Sequence, residues 1–516
     1  SVCLSVCLSV SISESRSSRA SGRVSAKQTI DRVICCFLSR HWFDIVFFTE
    51  STMCSSTRLF ASSRASLLLF ALICIQFTCG VYGASYYVDS TIGLDTNPGT
   101  EASPFLTLEH ALAVADADVS LDTLYCNGTF FEYNLETNSS VELIGNPSAT
   151  LDCSYQGQGL FASTEGTLAI QSFTFTQCSN TALFVQRSSG DVVSVTDSIF
   201  SDNISPGSGS HIYIDVNSDV VLSNVNTWGG SSSVHGGAIY LNANGITATG
   251  CTFFNERALS NGGALYLAGG DLTLTACTFE QCHADVDGGA IHLRAGQLTV
   301  NGGGFSRCDA GRDGGAISSA SGVSDINVGS GVIIEECVAA RSGGAVYHSA
   351  LNLNIFDSST VRDSTAANGG CIYAAFGSVT VSSSLLDNCT ASTSGGAIYM
   401  GSSTNLVLDN SVVSSSTAIT GDGGCIYSAC DTVTLSDSQL TACQSGSNGG
   451  AVYLTSGTFT MDTSDIIGAT TITGHGGCVY GGGATVSAFI GDSSSLSGCI
   501  AAGDGGVVYM ASGTLT

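Results

Sequence analysis

The chain has 516 residues, 63 of them Gly and only 4 Pro, with 15 Lys+Arg against 42 Asp+Glu and a formal charge of −27. With 43% hydrophobic and 11% charged residues it is too apolar for a disordered acidic tail, and Gly without a three-residue period excludes collagen. Such acidity argues against a nucleic-acid partner, whose phosphates are held by clustered Lys and Arg.

Residues 1–52 open with Ser1-Val-Cys-Leu-Ser-Val-Cys-Leu, the translation of a four-base repeat, and contain no Met; they are expected to be an untranslated or non-structural leader. From Met53 the pattern changes. Arg58 and Arg64 precede an apolar run from Leu67 to Phe77, and Val81-Tyr82-Gly83 offers a cleavage site, so 53–83 read as a signal peptide. The run is short for a membrane span, which ranks an N-terminal anchor second. The expected mature chain is secreted or displayed on the cell surface. It keeps 7 Arg, no Lys, 38 acids, a net charge of −31 and 15 of the 22 Cys. Outside the cell, disulfides persist and the sequons at Asn127, Asn138, Asn203 and Asn388 become glycosylation candidates.

Residues 84–156 read as a cap and entry segment. Thr107 is placed to N-cap a short helix with Leu108, Ala111, Leu112 and Ala115 on one face, and that helix can cover an open sheet end. Residues 157–516 are repeats. A Gly-Gly pair followed by a small and then an aliphatic residue has its first Gly at 236, 262, 288, 314, 343, 369, 395, 423, 449, 476 and 505, spaced by 26 to 29 residues. Degenerate copies at Ala182-Leu-Phe-Val and His211-Ile-Tyr-Ile extend the array upstream. Between the pairs lie alternating segments such as Asp271-Leu-Thr-Leu-Thr, rich in β-branched residues, with no room for a ten-residue helix and no Pro after Pro206.

A unit of 26 residues cannot bury its own apolar face, but stacked units can. The spacing predicts an all-β chain: a right-handed parallel β-helix of some fourteen coils, about 65–70 Å long at ~4.8 Å per coil, with a short N-terminal capping helix. A β-propeller, at ~40 residues per blade, ranks far behind. The array stops eleven residues after Gly505, partway through a coil, so the natural protein is expected to continue, and any membrane attachment to lie in that continuation.

The units resemble the polymorphic outer-membrane protein repeat, in which Gly-Gly-Ala-Ile is paired with Phe-x-x-Asn. Here Gly236-Gly-Ala-Ile and Phe200-Ser-Asp-Asn match, Phe279-Glu-Gln-Cys and Phe305-Ser-Arg-Cys vary it, and Leu385-Leu-Asp-Asn-Cys has lost the Phe. Over roughly 170–516 this resemblance implies a right-handed parallel β-helix with a passenger-like surface or adhesive role. No outer-membrane barrel follows, so autotransport is not implied. Residues 86–153 resemble the entry segment of pectin-lyase-like β-helices through Tyr86-Tyr-Val-Asp-Ser, Gly93-Leu-Asp-Thr-Asn-Pro-Gly-Thr, Pro104-Phe-Leu-Thr-Leu and Asn127-Gly-Thr-Phe.

Nine cysteines alternate between two slots. Cys282, Cys308, Cys337, Cys389, Cys443 and Cys499 lie six residues before a Gly pair; Cys371, Cys425 and Cys478 lie two after its first Gly, in coils holding Asp363, Thr417 and Thr470 at the other slot. Disulfides between adjacent coils and unbridged apolar plugs both fit. Zinc spacing is absent.

Chemistry needs localised residues. The densest charged cluster is Asp285, Asp287, Arg294, Arg307, Asp309, Arg312 and Asp313. Asp287 and Asp313 each precede a Gly pair and should stack one coil apart, which would suit a pair of glycosidase carboxylates. Asp287, Asp313, Arg294 and Arg312 are therefore the catalytic candidates, and Asp285, Asp287 and Asp313 the calcium candidates; no other cofactor is indicated. The competing reading is turn capping. The same slot holds His235, Asn261, Ser342, Asn368, Ser394, Asp422, Asn448, His475 and Asp504, and Gly474-His-Gly, although similar to a motif of pectin-degrading hydrolases, falls in it. A Tyr column at 240, 266, 347, 373, 399, 427, 453, 480 and 509, with His292 and His348 in or beside it, reads as a packing ladder or an outward sugar-stacking stripe. Two functions remain open: a non-catalytic adhesive or structural surface protein contacting an extracellular glycan or surface protein, or a polysaccharide lyase or glycoside hydrolase on the same scaffold.

Overall fold

The computed structural model describes residues 5–11, 31–39, 42–49 and 52–59, and residues 83–516 apart from 118–119, 164–165, 188–191, 402–403 and 484. It divides into two units, Ser1–Tyr82 and Gly83–Thr516. In the first, strands Ser5–Ser11, Asp31–Ser39, Trp42–Thr49 and Thr52–Leu59 pair in that order as an antiparallel sheet. The Leu67–Phe77 run read as part of a signal peptide lies outside the described residues.

The second unit is the expected parallel β-helix, with about 14 turns. The coil at Gly423 shows the pattern: strands Ile426–Ser428, Thr432–Ser436 and Gln439–Thr441, then the two-residue Gln444–Ser445. Each pairs in parallel with its counterpart one coil on, as in Tyr427↔Tyr453, Leu435↔Met461, Leu440↔Ile466 and Gln444↔Thr470. Apolar side chains alternate inward along most strands, as in Ile426–Ser428 and Thr432–Ser436. Each fully buried Ile, Leu or Val contributes ~1.5–3 kcal/mol, but only because the next coil covers it. Buried residues from Val88 to Ala488 thus belong to one continuous core, with Phe253, Phe279 and Phe305 stacked face to face inside it.

The two glycines of each pair are required for different reasons. The first has φ between 60° and 70° in all eleven copies, a left-handed conformation that favours Gly. At the second, backbone meets backbone: a Cβ on Gly237 would sit 1.9 Å from the carbonyl oxygen of Gly263, and one on Gly344 2.1 Å from that of Gly370. The other two corners of a coil are also left-handed, but mostly without Gly: Asp197, Asn224, Asn410 and Asp437 turn one, and Asn255, Arg307, Glu336 and Asn388 the other.

At the start of the helix, Thr107 N-caps Leu108–Ala115, accepting from the His110 amide at 3.2 Å, and Leu108, Ala111, Leu112 and Ala115 are buried as expected. The Glu132 carboxylate, not foreseen, accepts from the Leu108 and Glu109 amides at 2.9 and 2.8 Å. This helix packs on strands Ser85–Asp89, Asp122–Phe130 and Leu135–Thr137 and joins the core at its first coils.

Candidate functional site

Two columns of side chains run along the same region of the β-helix. One is the slot immediately before each Gly pair. Asp287, Asp313, Ser342 and Asn368 pair there as successive parallel bridges, so the slot stacks as its spacing requires. Several of its side chains bond the amide of the same slot in the following coil. Asn261 accepts from the Asp287 amide at 3.2 Å, Asp422 from Asn448 at 2.8 Å, Asn448 from His475 at 3.0 Å and His475 Nδ1 from Asp504 at 2.8 Å. The cap therefore reaches across coils rather than within its own turn, because parallel stacking brings that amide above it.

The second column is the aromatic ladder, four residues after the first Gly. Tyr sits between two buried neighbours on a short strand and points outward, half-buried, as in Ile426-Tyr427-Ser428. From Tyr347 to Tyr509 seven rings stack without a break at centroid separations of 4.5–5.5 Å and interplanar angles of 3–12°. Upstream, Phe184, Tyr213, Tyr240 and Tyr266 stack likewise, and His292 continues the column at 5.4 Å. Stacking covers the ring faces, so edges and hydroxyls are presented outward. Burial and neighbouring tyrosines push the phenols up, Tyr240 and Tyr399 to about 12, so the hydroxyls keep their protons near neutral pH. The columns also touch each other. His235 lies on Tyr266 at 4.3 Å and His475 on Tyr509 at 4.8 Å, each histidine meeting the ladder ring of the following coil.

The ladder lacks Tyr at His292 and Ser318, and here the charged cluster gathers. Asp287 is 6% and Asp313 2% exposed. The Arg312 guanidinium grips Asp287 with two bonds, Nε to Oδ1 at 2.8 Å and Nη2 to Oδ2. Arg341 grips Asp313 the same way, with Nε to Oδ1 at 2.9 Å. Both carboxylates are thus held in bidentate ion pairs, each by an arginine two residues before the next Gly pair. Nearby, Asp285 is paired with Arg257 at 3.0 Å and with His283 at 2.8 Å, and Asp309 with His283 at 2.5 Å. Arg307 pairs with Glu280, and Arg362 with Glu335. The calcium candidates Asp285, Asp287 and Asp313 therefore face cations of the chain itself. Among the described residues no three His, Cys, Asp or Glu side chains gather to hold a metal ion. Arg294 is brought to the ladder instead of to the Asp287–Asp313 pair; its charge acts on His235, Tyr240 and Tyr266.

Described residues also form two depressions. One, of about 370 Å³, is lined by Ser358, Thr360, Ser383, Leu385 and Asn410; the other, of about 150 Å³, by Tyr87, Asp89, Glu101, Tyr125 and Asn127. Partial burial would raise the Asp89 carboxyl, but bonds from Thr91, Asn127 and Ile92 overcome this and hold it at about 2. Asp287, Asp313, Arg294 and Arg312 line neither depression.

The nine alternating cysteines divide. Cys371–Cys389, Cys425–Cys443 and Cys478–Cys499 are bridged, each joining the slot after one Gly pair to the slot before the next, with Cα–Cα distances of 5.4, 5.3 and 5.3 Å. Cys282, Cys308 and Cys337 are free and buried, so for these three the plug reading describes the structure and the disulfide reading does not. They stand in coils whose preceding Gly pair is followed by Ala264, Ala290 and Ala316, which offer no partner. A fourth bridge, Cys153–Cys178, joins adjacent coils at 4.7 Å. The sequons also divide. Asn127, Asn138 and Asn388 are exposed. Asn203 is fully buried, its Oδ1 accepting from the Cys178 amide and its Nδ2 facing the Phe175 carbonyl and His211 Nδ1, so the fold leaves no room for a glycan there.

A buried group absent from the sequence reading lies beside it. In the slot of Cys282 and Asn203, one coil has Gly230, and the space is filled by Glu256 Oε2, which accepts from the Gly230 amide at 2.8 Å and lies 3.3 Å from His211 Nε2. Glu256 and His211 are both 0% exposed. The available signal was Glu256 itself, an acid six residues before Gly262 and so in that same inward slot, one coil on from Gly230.

No protein-family model matches the chain, and no curated protein matches it. Two structures of one protein, a GH136 lacto-N-biosidase from Eubacterium ramulus, align with it. The native structure has 10% identity and a TM-score of 0.29, covering 84% of this chain and 68% of that chain. The selenomethionine derivative has 10% identity and a TM-score of 0.21, with coverages of 87% and 70%. Neither alignment carries residues of one site onto the other.

Proposed function

We propose that this chain is a secreted or surface-displayed β-helix repeat protein, of the polymorphic outer-membrane repeat type, with an adhesive or structural role and no chemistry of its own. The observation that carries this reading is the aromatic ladder. A row of tyrosine edges and hydroxyls, repeated coil after coil from Tyr347 to Tyr509, is suited to a long repetitive partner such as an extracellular glycan chain. The bidentate ion pairs of Asp287 with Arg312 and of Asp313 with Arg341 support the same reading, since both nearly buried carboxylates are engaged by the chain itself. The test is a polysaccharide panel, with and without calcium, read for both binding and product release. Expected is saturable binding without turnover, weakened when Tyr399 and Tyr427 are replaced by Ala. Hydrolysis or β-elimination that disappears in Asp287→Ala would replace this reading with a polysaccharide lyase or glycoside hydrolase.

A further inference from the structure

Of the arginines after Gly83, Arg257, Arg307, Arg312, Arg341 and Arg362 are each paired with a carboxylate, and Arg187 is buried against the Gly166 carbonyl. Arg294 differs. It is exposed and enters no ion pair or hydrogen bond among the described residues, although this region carries a large excess of acids. In strand Ile291–Ser306 the side chains of His292 and Arg294 leave on the same side, and the residues flanking Arg294 one coil either way, Ala268 and Ala320, are small. Its charge falls on His235, Tyr240 and Tyr266, and the rings of His235, Tyr240 and His292 each lie 4.3–5.5 Å from that of Tyr266. Two further groups there are unsatisfied: Nδ1 of His235 and Nδ1 of His292 are buried without a hydrogen-bond partner, and His292 is only 8% exposed.

An uncompensated guanidinium offers two parallel donors to a carboxylate, and tyrosine hydroxyls with neutral imidazoles suit sugar hydroxyls. Size of charge matters too. A polyanion would run along a surface rich in acids and be repelled along its whole length, whereas a sugar with a single carboxylate brings only one charge to Arg294. We infer that Arg294, with Tyr240, Tyr266, His235 and His292 around it, binds a sugar bearing one carboxylate at the end of an otherwise neutral glycan. This rests on the glycan-contact reading above and adds the ligand class and its place.

The test is calorimetric titration of the full chain with four probes: a sialic-acid-terminated trisaccharide, a glucuronic-acid-terminated disaccharide, neutral lactose, and a polygalacturonate oligomer. Expected is at least tenfold tighter binding of one carboxylate-terminated sugar than of lactose or the oligomer, the preferred probe identifying the acid. Arg294→Gln, an exposed and unpaired position, should remove that preference while leaving the melting temperature in place. Arg307→Gln should leave it intact. A preference that survives Arg294→Gln, or that Arg307→Gln removes equally, overturns the site. Lactose bound as tightly as both acids defeats the site but not the glycan-contact reading; no binding of any probe or of the polysaccharide panel defeats both.

Discussion

At the scale of single residues, the repeat is governed by what each backbone position tolerates. The Gly-Gly motif was legible as a tight corner, but two distinct demands were merged in that reading: positive φ at the first Gly and contact with the next coil's carbonyl at the second. The second demand can be tested by itself. Gly344→Ala should lower stability by about 3 kcal/mol, because the obstruction is backbone and cannot swing aside, whereas Gly506→Ala, where nothing lies within 4 Å of the new Cβ, should change it by less than about 0.5 kcal/mol; denaturant midpoints compare the two. Histidines give a second test. His348 is buried in the core with both ring nitrogens unpartnered, and burial holds it at about 4, with Asp325 opposing. Its folded-state value lies below the unfolded ~6.5, so the unfolded chain binds the extra proton between them. The stability contribution is therefore intact above ~6.5 and lost as pH falls towards 4. His348→Met, the residue found at that slot in Met400 and Met510, should remove a share of the acid destabilisation of about 2–3 kcal/mol, seen as a flatter profile of melting temperature against pH between 6.5 and 4.

At the scale of elements, the strands were predictable from alternation and the stacking from repeat length, so both columns were in register before any coordinates. Side-chain direction was not. Sequence spacing placed Asp287 above Asp313 but left open whether their oxygens faced substrate, cation or protein. The deciding feature was an Arg two residues before the next Gly pair: Arg312 stood in the charged cluster, but that it closes on Asp287, and Arg341 on Asp313, depends on contacts one coil away. Breaking such a clamp should be felt as stability: Arg312→Gln strands a nearly buried carboxylate and should cost about 1–2 kcal/mol, discounted because the guanidinium is half exposed. Replacing Asp287 together with Arg312 should cost less than the sum of the single changes. A double-mutant cycle in denaturant measures that coupling. The Glu256–His211 pair was missed for a related reason: Glu256 stands in the inward slot of Cys282, but its partner His211 sits beside an earlier Gly corner, and only stacking across Gly230 brings the two together.

At the scale of the whole β-helix, the continuous core from Val88 to Ala488 implies that each coil is stable only through its neighbours. The three diagonal bridges are confined to coils after Gly369, while the coils from Gly288 to Gly343 hold free thiols. Mild reduction under native conditions should therefore sensitise the C-terminal coils to protease more than the central ones, and peptide mapping before and after reduction would reveal the difference. The alternation of Cys between two slots was visible in the sequence; the direction of pairing was not, because it depends on how far one corner leans over the next. That diagonal pairing has a mechanical consequence. Pulled from its end, such a stack peels one coil at a time, and a coil of about 26 residues would release roughly 90 Å of chain at ~3.5 Å per residue. Each bridge shuts the residues between its cysteines, 18, 18 and 21 positions apart, out of that release. Under tension the riveted end should yield in short steps and the thiol-bearing middle in long ones, a gradient of extensibility written along a single filament.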